Sequence, residues 1–114
     1  MKIIQKPASL AELWESHESP FEGMMKIVVD VKKEIIGADA ELHADLERIL
    51  MEQGSRQEDV WGANIYPLEG KTSPDFLEYR AMINIRPALG NRSMEVTDSA
   101  VRDRIHEIVH RLLV

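Results

Sequence analysis

The chain has no cysteine. Disulfides, thiolate zinc sites, iron–sulfur clusters and cysteine nucleophiles are therefore excluded, and a cytoplasmic setting is expected. Aromatic residues are few, at 5%. No apolar run approaches the roughly 20 residues of a membrane span, so no membrane partner is expected. The N-terminus lacks the basic-then-apolar pattern of a secretion signal. Basic residues are outnumbered: 14 lysines and arginines against 20 acids give a net charge of −6. That balance disfavours nucleic acid, whose non-specific binding rests on cations meeting phosphates. A dinucleotide glycine fingerprint and a serine or threonine in a nucleophile elbow are also missing. No cofactor is expected.

What is present is ordinary globular material, 44% hydrophobic and 30% charged over 114 residues. This length makes one domain, 1–114, able to bury roughly 60–70% of its unfolded surface without staples. Lys2 to Gln5 is short and β-like. Ser9 and Glu12 form a capping box for a first helix with Leu10, Leu13 and Trp14 on its apolar stripe. Ser19-Pro20 stops it. Met24 to Lys32 alternates as a strand, and Lys33-Glu34 is a plausible turn. A second strand runs from about Ile35, then yields to a helix near Leu42 or Ala44 that stops at Gly54.

Val60 to Tyr66 and Phe76 to Arg86 read as the clearest strands, joined by a loop with Gly70 and Pro74. Pairing Asn64 opposite Arg80 gathers Trp61, Ala63, Ile65, Leu77, Tyr79, Ala81, Ile83 and Ile85 on one face. The last helix follows a cap at Thr97 or Asp98, with Val101, Ile105, Ile108, Val109 and Leu112 as its stripe. The order is β-α-β-β-α-β-β-α. It implies an α+β two-layer sandwich: a mostly antiparallel sheet of about five strands, three helices on one face and the other face open.

That open face is where function is expected. Two segments echo each other, Asn64-Ile65-Tyr66-Pro67 and Asn84-Ile85-Arg86-Pro87. Asparagine is a poor strand former, so two of them within strands ask for an explanation. Amides donate and accept, while Tyr66, Arg80 and Arg86 add a stacking ring and forked donors. Such a face suits a small anionic ligand. Burial against a second copy, giving a homodimer, and plain tolerance of asparagine near strand ends explain it as well. Gly90-Asn91-Arg92-Ser93 follows as a turn whose amides and arginines would attract an anion, though the lysine and glycine spacing of a Walker loop are missing.

Two histidine patterns invite chemistry. His106-Glu107-Ile108-Val109-His110 matches the zinc-peptidase signature. A step of about 100° per residue turns both histidines away from the apolar stripe. Arg104 and Arg111 flank the motif, and Arg111 to Val114 contain no third ligand. Metal binding by His106 and His110 is therefore disfavoured. Glu41-Leu42-His43-Ala44-Asp45 is the better candidate. If extended, Glu41 and His43 share the polar face with Asp30, and a histidine among carboxylates can serve as general acid–base.

The strings from Glu41 to Asp45, from Gly54 to Pro67, and from Met82 to Ser93 resemble a small bacterial family known as a domain of unknown function. The resemblance spans nearly the whole chain and brings no activity with it. It implies that the characteristic residues lie on the polar face and the loop after it, and it leaves the HEIVH helix out. The expectation is a binding or self-associating module, with Asn64, Tyr66, Arg80, Asn84, Arg86, Asn91 and Arg92 as its ligand contacts. The alternative is a hydrolase-like or metal-assisted enzyme acting on an anionic substrate through His43, Glu41, Asp30 and Arg86.

Overall fold

The structure, a computed structural model, describes residues 1–114. Strand β1 (Lys2–Ile4) leads to helix α1 (Leu10–Glu15), capped by Ser9 Oγ accepting from the Glu12 amide at 3.1 Å. β2 (Met25–Asp30) and β3 (Ile35–Ala38) form a hairpin. Helix α2 (His43–Glu52) precedes β4 (Val60–Ile65). β5 (Leu77–Glu78) and helix α3 (Ser99–Leu112) follow. Asp98 caps α3 through the amides of Ala100 and Val101. The five strands lie in the order β1-β3-β2-β4-β5 and every pairing is antiparallel. The element order and the α+β class are those of the sequence reading. No helix is long and apolar enough to cross a membrane.

Period-two alternation divides the sheet cleanly. Ile27, Val29, Ile36, Ala38, Trp61, Ala63 and Ile65 face the main core, with Leu13 of α1 and Ile105, Ile108, Val109 and Leu112 of α3. Each large aliphatic side chain buried there contributes about 1.5–3 kcal/mol. The opposite face carries Val28 and Val60, which pack with Ala40 and with Leu46 and Leu50 of α2. The expected placement of all three helices on one face is therefore corrected: α2 covers the other side. The physical reason is missing bulk. A Cβ on Gly62 would lie 2.4 Å from Ala81 Cβ and 3.2 Å from His43 Cδ2, so the bare backbone of β4 is what leaves room for the start of α2.

The Phe76 to Arg86 strand is shorter than expected. β5 pairs Leu77 with Ile65 and Glu78 with Asn64, rather than Arg80 with Asn64. A shift of two residues preserves facing, so Asn64, Glu78 and Arg80 still share a side. Beyond Tyr79 the chain leaves the ladder and turns through a 3₁₀ segment, Met82–Asn84. The echo survives in another form. Pro67 and Pro87 each open a 3₁₀ turn, and each turn closes at a glycine with positive φ, Gly70 at 84° and Gly90 at 78°. Pro pre-sets the entry dihedral and glycine accepts the exit one. The two segments repeat a turn, not a strand.

Both ends of the chain meet. The Ala8 amide donates to Leu112 O at 2.8 Å, and the Val114 amide donates to Ala8 O at 2.9 Å. Residues from the first and last tenth of the sequence thus form one short parallel bridge, Ala8 with Leu113.

Candidate functional site

α2 covers the sheet only in part. It begins at His43, whose Nε2 lies 2.9 Å from Ala63 O. Beyond that point the face toward Lys26, Asn64 and Glu78 is free of the helix. These three stand in a row across β2, β4 and β5, Lys26 opposite Asn64 and Asn64 opposite Glu78. The segment from Arg80 to Ile83 and the side chain of Met94 close the row into a groove of about 600 Å³. Met24, Leu42, Met82, Ile83 and Met94 supply its apolar lining, and Lys26, His43, Asn64, Glu78 and Arg80 its polar groups.

The hydrogen bonds fix which way Asn64 points. Its Nδ2 donates to Glu78 Oε1 at 2.8 Å and to Arg80 O at 3.2 Å. Reversing the amide would set oxygen against two acceptors, so Oδ1 occupies the remaining side, buried and without a partner. Tyr66 donates from its hydroxyl to the same Glu78 oxygen at 3.1 Å. Burial and that carboxylate together push the Tyr66 phenol above its usual value.

His43 is held below the ordinary imidazole value, chiefly by burial. The Ala63 carbonyl opposes this, the Lys26 charge adds to it, and the nearby Asn64 side chain and Glu78 charge oppose it in turn. A neutral His43 donates from Nε2 to Ala63 O and keeps Nδ1 as an acceptor. Lys26 Nζ donates to Glu41 O at 2.8 Å and lies 4.7 Å from the centre of the Phe21 ring. Arg80 pairs with Glu95 at 3.2 Å, both side chains about half exposed. Leu42, the N-cap of α2, makes no side-chain cap bond. The start of that helix therefore faces the groove with its partial positive charge uncapped.

Of the residues singled out from sequence, His43, Asn64 and Arg80 come together at the groove, with Tyr66 one bond behind them. The others are elsewhere. Asp30 is buried and serves the hairpin turn, accepting from the Lys32 and Lys33 amides at 2.9 and 2.8 Å and from Ser55 Oγ at 2.6 Å. Glu41 is exposed and engages Lys26 only through its carbonyl. Asn84 and Asn91 use their amides inside the fold. Asn91 Nδ2 donates to the carbonyls of Asn84, Ser93 and Glu95, and its Oδ1 accepts from the Thr97 amide and hydroxyl. Arg86 pairs with Glu47 at 2.9 Å and lies 5.0 Å from the Trp61 ring, burial lowering its basicity against the pull of Glu47. Arg92 is exposed.

The HEIVH histidines stack on each other with ring centres 3.9 Å apart. Both nitrogens of His110 face carbonyl oxygens, those of His106 and Lys71, each at 2.9 Å. Nowhere do three histidine or carboxylate side chains gather as a metal ion would require. Lys26, Glu78 and the methionines are among the groove residues that the sequence did not single out as contacts. Parity with Val28 and Asp30 was the signal for Lys26.

Comparison with curated proteins and with solved structures finds no match. One family model does match, over residues 2–112. The chain belongs to the family described as a protein of unknown function, DUF5674.

Proposed function

We propose that the chain is a binding module for a small ligand seated in the groove at the start of α2. The observation that carries this reading is Asn64. The residue is only 7% exposed, its amide nitrogen is committed, and its buried oxygen is unpaired. A buried acceptor without a donor costs about 1–3 kcal/mol. Folds keep few such groups, and a bound molecule that supplies the donor gives this one a purpose. Apolar walls with a few convergent polar groups are the usual make-up of a small-molecule site. Methionine walls adapt to the shape they enclose. Lys26, Arg80 and the uncapped helix start favour negative charge on the ligand.

The hydrolytic alternative has no comparable support. Asp30 serves a turn, Glu41 offers only its carbonyl, and Arg86 is held by Glu47. Self-association draws on Leu42 and Met82, 57% and 73% exposed at the groove's rim.

The test is a carbon-13 methionine-methyl spectrum of the full chain, screened against a panel of small organic acids, amines and zwitterions. Binding in the groove is expected to move the Met24, Met82 and Met94 methyls and to leave Met1 and Met51 still. A panel that moves none of the three groove methyls overturns the proposal. Sedimentation velocity of the native chain and of Met82→Lys tests self-association: a dimer lost in the variant supports it, and a native monomer at all concentrations ends it.

A further inference from the structure

Resting on that binding reading, we infer that the groove takes a zwitterion with an apolar body, an apolar α-amino acid. The sheet register sets the polar groups in one row. Lys26 and Glu78 flank Asn64 on neighbouring strands, and strands lie about 4.8 Å apart. A cation and an anion therefore stand on either side of an amide, within reach of one small molecule.

Each of these groups has capacity left. Lys26 gives one hydrogen to Glu41 O and keeps two. Glu78 receives Asn64 and Tyr66 on Oε1, and its Oε2 accepts no hydrogen bond. The start of α2 has no side-chain cap. Asn64 is more than nine-tenths buried on the groove wall, and its free oxygen needs an N–H or O–H donor.

The demands are opposite and adjacent. A carboxylate suits Lys26 and the helix start; an ammonium suits Glu78 and Asn64 Oδ1. A simple anion leaves Asn64 unpaired and meets Glu78. A simple cation meets Lys26 and Arg80. A molecule carrying both charged groups on one carbon satisfies all of them, and the methionine-lined walls receive its side chain. The pliancy of Met24, Met82 and Met94 fits several apolar side chains rather than one shape.

The experiment titrates L-leucine, 4-methylpentanoate and 3-methylbutylamine into the methyl-labelled full chain. L-leucine is expected to shift the three groove methyls saturably. The acid and the amine are expected to bind about ten-fold more weakly or worse, the size of one lost charge-assisted bond. Glu78→Gln should weaken L-leucine by a similar factor while the acid binds no worse. Lys26→Met should weaken L-leucine while the amine binds no worse. These two variants alter groups at the groove's edge, so they keep the test open even if Asn64 variants fail to fold. If the acid or the amine equals L-leucine, or if the panel yields ligands while L-leucine, L-methionine and L-phenylalanine stay silent, the zwitterion is wrong and the groove reading stands. If nothing in the panel moves the groove methyls, both fall.

Discussion

Asn84 pairs with Gly62 as a neighbouring strand would. Its Nδ2 donates to Gly62 O at 2.9 Å, and its Oδ1 accepts from the Gly62 amide at 2.8 Å. A second bond from Nδ2 reaches Met94 O at 3.1 Å. β4 has lost its β5 partner at this point, because β5 pairs only Asn64 and Ile65. The side-chain amide continues the ladder by one rung and satisfies a buried backbone that would otherwise be orphaned.

Asn84→Asp is therefore expected to destabilise more than Asn84→Ala. Alanine leaves two buried backbone groups of Gly62 unpaired, at about 1–3 kcal/mol each. Aspartate keeps the shape but turns an acceptor toward the carbonyls of Gly62 and Met94. Urea unfolding should give the order native, alanine, aspartate. Equal stability of the aspartate variant and the native chain would contradict the pairing.

Gly62 itself has no room for a side chain. A Cβ there would lie 2.4 Å from Ala81 Cβ and 3.2 Å from His43 Cδ2. Gly62→Ala is expected to cost about 1–3 kcal/mol by overpacking. That corresponds to a fall in Tm of roughly 5–15 °C by calorimetry. Gly37→Ala, with its nearest contact at 3.4 Å, is the comparison and should change Tm little.

Glu47 and Arg86 pair across α2 and the turn after Asn84, with side chains only 14% and 12% exposed. Removing one partner leaves the other buried and alone. Glu47→Met is expected to cost about 3 kcal/mol. Adding Arg86→Met should restore a good part of that loss, since no charge then remains to desolvate. A double-mutant cycle in urea checks this, and additive losses would show that the pair is not coupled.

Acidification is expected to weaken the fold through His43 and His106. Burial holds both below the ordinary imidazole value, with Lys26 adding to the effect at His43 and His110 at His106. Unfolding returns them to about 6.5. Between the folded and unfolded values the unfolded chain binds more protons, so stability rises with pH. The contribution is complete above about pH 6.5 and is lost as pH falls below it toward the folded values. Asp39 acts separately. Burial pushes it up, but the amides of Glu18 and Ser19 bring it below its usual value, so its contribution is lost only in stronger acid. Chemical unfolding at pH 7.5 and 5.5 should show the histidine loss, and His43→Gln should flatten it; an unchanged slope in that variant would remove His43 from the account.

Some of this was legible in the residue pattern and some was not, for reasons that differ by site. Trp61, Ala63 and Ile65 could be placed because alternation in a central strand reports facing directly. Asn64 and Arg80 came together because a register error of two residues does not change a side, whereas His43 joins them from the first turn of α2 and not from the extended segment expected. Asn84 was misread because Ala81, Ile83 and Ile85 alternate like a strand while the backbone turns in a 3₁₀ segment. The side chosen by α2 was hidden because Leu46 and Leu50 would pack equally well on either face. That choice is written in an absence, the missing side chain of Gly62, which carries no hydropathy signal. The groove's methionines were passed over because apolar residues read as core.

The bridge between Ala8 and Leu113 also sets an order of events during synthesis. Its two sides are far apart in sequence, so the N-terminal side is made long before the residues it pairs with. β1 finds its partner in β3 early, but the segment from Ala8 to Leu10 must wait for Leu112 to Val114. The closing of that ring comes late, at the entropic disadvantage of a nearly chain-long loop. Loss of Leu112 to Val114 would therefore leave the link between β1 and α1 without its clasp.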